Sequence, residues 1–231
     1  MSRLIDLNQP SRGKTEAMVI PGPAGPLELL LDRPALPVHG VAIVTHPQPL
    51  MGGTPRHKIP HKLAHRVRDE GWLAIRPSFR GVGASAGVYD HGVGEAQDIL
   101  AVVDAVRDEA HGTPLALVGF SFGAYALARA IRALADRNAA PAAAILAGLP
   151  VGTVDGNRVY DTPPLPADVV LIHGEADIQA PLEPLLAWAR PTSHPVIVIP
   201  GADHCFSQSQ DLLLSLVIAH LPKASAKART N

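Results

Sequence analysis

At 231 residues, with 47% hydrophobic and 18% charged side chains, the chain is long enough to bury one sizeable core and too apolar to be a disordered segment. Its 20 basic and 21 acidic residues leave a formal charge of −1, and the bases are scattered except over 223–229, so the basic stripe that nucleic acid requires is missing. A single cysteine, Cys205, excludes an intrachain disulfide and any cysteine cluster for zinc.

In the first ten residues Asp6, Asn8 and Gln9 stand where a secretory signal needs an unbroken apolar stretch, and no run approaches membrane-spanning length. A cytoplasmic protein without membrane contact is expected. Residues 1–14 and 222–231 are polar with little to bury and read as flexible tails around one domain over 15–221.

Residues 16–20 and 27–31 flank Pro21-Gly22-Pro23-Ala24-Gly25-Pro26, whose glycines and prolines force a reversal, so an antiparallel hairpin at a sheet edge is predicted. Six apolar runs follow, at 41–45, 72–75, 115–118, 142–146, 169–172 and 196–199. Continuous runs of this kind mark strands covered on both faces. Between and after them, apolar residues return every three or four positions over 60–70, 94–109, 122–136, 182–189 and 210–221, which predicts helices. The class is therefore α/β, a mostly parallel, doubly wound sheet.

Several of these runs are followed by loops rich in glycine and polar residues. After 41–45 comes His46-Pro47-Gln48-Pro49-Leu50-Met51-Gly52-Gly53-Thr54. His57, His61 and His65 then recur every four residues, a spacing that could place three imidazoles on one helical face as metal ligands. Lys58, Lys62 and Arg66 interleave with them and no acid joins them, so a solvated polar face is expected and no metal or cofactor is assigned. After 72–75 comes Arg80-Gly81-Val82-Gly83-Ala84-Ser85-Ala86-Gly87, whose glycine spacing does not fit a dinucleotide loop.

The run 115–118 leads into Gly119-Phe120-Ser121-Phe122-Gly123, a G-x-S-x-G pentapeptide between strand and helix. In that setting the turn is so tight that glycine is needed at both ends while the serine is pushed out above the sheet. The N–H of Phe122, at the helix start, then suits a developing oxyanion. A helix N-cap role would explain Ser121 but not both glycines.

A serine hydroxyl needs a base, and the base needs a group to hold its tautomer. After 169–172 stands His173-Gly174-Glu175-Ala176-Asp177, and after 196–199 stands Pro200-Gly201-Ala202-Asp203-His204. His204 is the expected base and Asp177 the expected acid, ahead of Glu175, Asp155 and Asp203. His46 and His173, each directly after its strand, are expected to be structural.

Taken together, these loops resemble one branch of the α/β-hydrolase superfamily, small bacterial hydrolases with an H-P-x-P-L-x-G-G-T loop after the first buried strand. The resemblance spans 45–204 and implies the α/β-hydrolase fold with Ser121, Asp177 and His204 as a triad in the superfamily's chain order. It makes the N–H of Gln48 a second oxyanion donor beside that of Phe122, since Pro47 has no N–H to give. Two positions depart from the pattern: Gln48 stands where many relatives have a second histidine, and Ser78 where many have aspartate. Arg80 and Ser85 receive no catalytic role.

Only about twenty residues, 148–168, separate two strands where the superfamily commonly carries a lid, so no substantial lid is expected. The implied activity is a serine hydrolase acting through an acyl-enzyme on a small or short-chain acyl ester, a carboxylesterase. An acyl thioesterase, or a binding module that kept the fold, is the alternative. Leu50, Met51, Phe122, Tyr160 and Phe206 are the expected apolar lining.

Overall fold

Pro23 and Ala24 turn the chain between β1 (Glu16–Gly22) and β2 (Gly25–Asp32), an antiparallel hairpin whose first strand is one edge of an eight-stranded sheet. The structure is a computed structural model and describes residues 6, 7, 9, 13–35, 37–110 and 112–223. The chain continues through β3 (Gly40–Thr45), α1 (Lys58–Asp69), β4 (Trp72–Pro77), α2 (Val93–Glu109), β5 (Leu115–Phe120), α3 (Phe122–Asp136) and β6 (Ala143–Ala147). It closes with β7 (Gly152–Val154), β8 (Arg158–Tyr160), β9 (Val170–Gly174), α4 (Leu182–Ala189), β10 (Val196–Ile199) and α5 (Gln210–Ala219).

The sheet order is β1-β2-β4-β3-β5-β6-β9-β10. Strand β2 runs antiparallel to both its neighbours, and every other pairing is parallel. This is the mostly parallel sheet that the apolar runs predict, with the antiparallel edge hairpin that residues 21–26 predict, as the resemblance to α/β-hydrolases implies.

Period-two alternation divides the core into two layers. Val41, Ile43, Leu73, Ile75, Leu115 and Leu117 point to the side covered by α2 and α3. Ala42, Val44, Trp72, Ala74, Ala116 and Val118 point to the side covered by α1 and α5. Burial on both faces is why these strands read as unbroken apolar runs. Each fully buried Leu or Ile contributes about 1.5–3 kcal/mol, so the interior strands are held by tens of such contacts rather than by any single one.

One element was not anticipated. Residues 148–168 carry a two-stranded antiparallel ribbon, β7 and β8, turned at Asp155-Gly156-Asn157. The Asp-Gly pair between short alternating stretches is a hairpin signal, but three-residue strands are too short for periodicity to reveal. The expectation of flexible tails falls largely on residues 1–5, 8, 10–12 and 224–231, which lie outside the described residues. Within the described part, Leu7 packs against the core and the Asp6 carbonyl accepts from Arg33 Nη1 at 2.7 Å. Among the described residues no helix is long and apolar enough to cross a membrane.

Candidate active site

Between the last residue of β5 and the first of α3 there is room for one residue, Ser121, held at φ 57° and ψ −126°. That backbone region is strained for a residue with a side chain, at a cost of about 1–3 kcal/mol, and persists only when the surroundings enforce it. Here they do. The Ser121 N–H donates to the Ala147 carbonyl at 2.9 Å, and Thr45 Oγ1 donates to the Gly123 carbonyl at 2.9 Å. A Cβ on Gly119 would stand 2.6 Å from Ala124 Cα, and one on Gly123 would stand 2.5 Å from the His46 carbonyl oxygen. Both glycines of the pentapeptide are thus demanded by backbone approach. The Ser121 hydroxyl makes no capping bond to its helix, so the N-cap explanation of this serine fails.

The hydroxyl meets His204 Nε2 at 2.8 Å, and His204 Nδ1 lies 2.6 Å from Asp177 Oδ2. An ionised carboxylate only accepts, so Nδ1 carries the proton and the Nε2 lone pair faces the serine. The other Asp177 oxygen accepts the N–H groups of Gln179 at 2.9 Å and Ala180 at 2.8 Å. His173 donates from Nε2 to the Ala180 carbonyl at 2.7 Å, bracing the same loop, and its burial holds its pKa below the ordinary value. The remaining acids are occupied elsewhere: Glu175 accepts the Gly201 N–H, Asp203 accepts the Ser207 N–H, and Asp155 is exposed in the β7–β8 turn.

The loop after β3 is organised by His46, which is fully buried. The Phe79 N–H donates to its Nε2 at 3.1 Å, which places the proton on Nδ1, and Nδ1 donates to the Pro47 carbonyl at 2.8 Å. Burial lowers its pKa to about 3, against a smaller opposing effect of the Pro47 carbonyl, so the ring is neutral. Pulling the Pro47 carbonyl toward His46 turns the N–H of Gln48 to the opposite side of that trans peptide. Gly53 must lack a side chain, because a Cβ there would sit 2.1 Å from the Pro47 oxygen. The N–H groups of Gln48 and Phe122 have no hydrogen-bond partner among the described residues.

The side chain of Gln48 takes the place of the second histidine of similar loops. Its Oε1 accepts the Leu50 N–H at 3.4 Å, and its Nε2 donates to Tyr89 Oη at 3.1 Å and Tyr160 Oη at 3.2 Å. It therefore ties the loop to the β7–β8 ribbon.

These groups open into a cleft of about 230 Å³ lined by Met51, His57, Phe120, Arg158, Tyr160 and Gln179 among others. A larger groove of about 730 Å³ lies elsewhere, among Lys14, Arg33, His39 and Arg68, without any of the groups just described. The expected lining needs correction. Met51 and Tyr160 line the cleft, but Phe122 and Phe206 are buried in the two core layers and Leu50 points to solvent. The reason is period: Phe120 ends a strand on the cleft side, whereas Phe122 begins a helix whose first side chain turns down against Phe79.

The solvated face expected for His57, His61 and His65 holds for His61, which is exposed, whereas His57 and His65 are half-buried. His57 caps α1 by accepting the Ile59 N–H, stacks on Phe120 at 6.1 Å and faces the cleft. Burial, and secondarily a positive charge on His204, hold it below the ordinary histidine pKa. His61 Nδ1 accepts from Arg76 Nη1 at 3.3 Å, and His65 lies 3.3 Å from Asp32, whose carboxylate is ion-paired to Arg76 in the interior. The polar spacing answers a buried ion pair that sits far away in sequence.

No protein-family model matches the sequence. Among curated proteins, an uncharacterised protein of Rickettsia prowazekii is 36% identical over 105 residues, 45% of this chain and under half, 44%, of that one. Among solved structures, a serine hydrolase without a lid from Xanthomonas campestris is 31% identical, with a TM-score of 0.77 over 92% of this chain and 95% of that one. An α/β serine hydrolase homologue from Coxiella burnetii is 32% identical, with a TM-score of 0.74 over 90% and 97%. With that identity sustained along nearly the whole of both chains, this protein belongs to the α/β serine hydrolases without a lid.

Proposed function

We propose that the protein is a carboxylesterase that hydrolyses small or short-chain acyl esters through Ser121. The observation that carries this reading is the hydrogen-bonded line from Asp177 through His204 to a serine hydroxyl presented on a strained elbow. Such a line gives a weak nucleophile a base of fixed tautomer.

Ser121 Oγ attacks the acyl carbon while its proton passes to His204 Nε2, and the carbonyl electron pair moves onto oxygen. The N–H groups of Gln48 and Phe122 hold that oxyanion, the second with the help of the helix dipole. The pair returns, the alcohol leaves with the proton from His204, and an acyl-serine remains. Water gives a proton to His204, attacks the acyl carbon through a second oxyanion, and frees the acid as the proton returns to Ser121. Asp177 stabilises the imidazolium in both halves without taking a proton. A cleft of about 230 Å³ is below the range of about 300–1,000 Å³ usual for drug-sized ligands, which favours a short acyl group.

The test is hydrolysis of p-nitrophenyl esters from acetate to decanoate by the wild type and Ser121→Ala, with mass spectrometry after a fluorophosphonate probe. Short esters should be hydrolysed, the variant should lose about a thousand-fold or more, and the probe should add to Ser121 alone. Equal rates in the two proteins, or labelling elsewhere, would sink the assignment.

A further inference from the structure

Arg158 sits where β8 lines the cleft, and its charge is unanswered. Its Nε donates to the main-chain carbonyl of Asp155 at 3.0 Å, not to the Asp155 carboxylate, and its Nη1 lies 3.5 Å from Tyr160 Oη. It makes no ion pair with any described residue, whereas Arg33, Arg76 and Arg80 each face a carboxylate. No aspartate or glutamate lines the cleft; Asp177 stands behind His204.

Tyr160 adds a second donor. Its oxygen accepts from Gln48 Nε2, whose orientation is set because Gln48 Oε1 takes the Leu50 N–H. Its other polar neighbour, Arg158 Nη1, is also a donor. The Tyr160 O–H is left without an acceptor among the described residues. One wall of the cleft therefore offers guanidinium N–H groups and a hydroxyl hydrogen with no carboxylate among the described lining residues. A turn arginine that merely secured the β7–β8 ribbon would need only the Nε bond.

We propose that Arg158 and Tyr160 form a carboxylate subsite, so that the preferred substrate is an ester with a second, free carboxylate, such as a half-ester of a short dicarboxylic acid. The planar fork of arginine matches a carboxylate through two parallel hydrogen bonds, and one guanidinium balances one negative charge. The inference rests on the esterase reading for its chemistry but not for its binding.

The experiment compares kcat/KM for mono-p-nitrophenyl glutarate, which carries the anion on the acyl chain, with that for neutral p-nitrophenyl butyrate. A third ester, 4-(butyryloxy)benzoate, carries the anion on the leaving group. For at least one anionic ester, the ratio to the neutral one should fall about tenfold to a hundredfold in Arg158→Gln, with partial recovery in Arg158→Lys. In the wild type, KM for that anionic ester should rise with ionic strength while that of butyrate stays level, a reading that needs no variant to fold. Unchanged ratios together with salt-independent KM would overturn the subsite. If none of the esters is turned over, the esterase reading fails instead, and the subsite is judged by calorimetric titration of monomethyl glutarate. Binding to Ser121→Ala that weakens at least tenfold when Arg158→Gln is added would uphold it, and equal or absent binding would overturn it.

Discussion

Two loops at the same edge of the sheet each hold a buried histidine, and the two rings face opposite kinds of partner. In the loop after β3, His46 lies between a peptide N–H and a peptide carbonyl. In the loop after β10, His204 lies between a carboxylate and a hydroxyl. The first set of partners fits only the neutral ring, because a protonated Nε2 would point a hydrogen at the Phe79 N–H. The second accommodates a proton on either side, since Asp177 supplies the compensating charge. Burial between peptide groups suits His46 only as a neutral ring, whereas in the proposed mechanism the Asp177 carboxylate lets His204 take up a proton.

Changing the acid should separate the two loops most widely. Asp177→Asn keeps the shape but removes the charge and favours the wrong tautomer, so kcat/KM for a short ester should drop about 10⁴-fold while thermal stability moves little. A loss of less than tenfold would mean that His204 does not depend on Asp177.

His46 should show the converse pattern. His46→Asn disrupts two buried hydrogen bonds and should cost about 2–4 kcal/mol in urea unfolding. Its folded pKa of about 3 lies below the unfolded value of 6.5, so between those values the unfolded chain binds the extra proton. Stability conferred by neutral His46 is therefore complete above pH 6.5 and is lost as pH falls toward 3, by at most about 1.4 kcal/mol per pH unit. The wild type should lose stability more steeply than His46→Asn between pH 6.5 and 5; parallel curves would show that His46 titrates freely.

The smallest effect is expected where the first loop meets the rest of the molecule. Tyr89→Phe leaves one hydrogen of Gln48 Nε2 without its acceptor. If the tyrosines steady Gln48, kcat should fall about three- to tenfold, with KM nearly unchanged, since a loosened oxyanion donor weakens the transition state more than substrate binding. A change confined to KM would instead make Tyr89 a substrate contact.

Much of this was legible in advance because it depends on neighbours close in sequence. The unbroken apolar runs require a sheet covered on both faces, and Gly119 and Gly123 around Ser121 require a turn too tight for a Cβ. The positions of Ser121, Asp177 and His204, after the ends of β5, β9 and β10, follow from the same runs. The β7–β8 ribbon is not legible because its strands are three residues long, and the inward turn of Phe122 is not, because a loop position does not say which way a helix turns its first side chain.

By itself, then, the sequence determined the sheet, its edge hairpin, the elbow and the residues at each strand end, all of which obey local steric and periodic rules. Tertiary structure alone decided which polar atoms meet. His204 reaches Ser121 across 83 residues of chain, Gln48 reaches Tyr160 across 112, and the histidines of α1 turn to the buried Arg76–Asp32 pair or to the cleft. The physical reason is that a hydrogen bond is satisfied by proximity and direction, and only the closed fold brings distant donors and acceptors within 3 Å or so of one another.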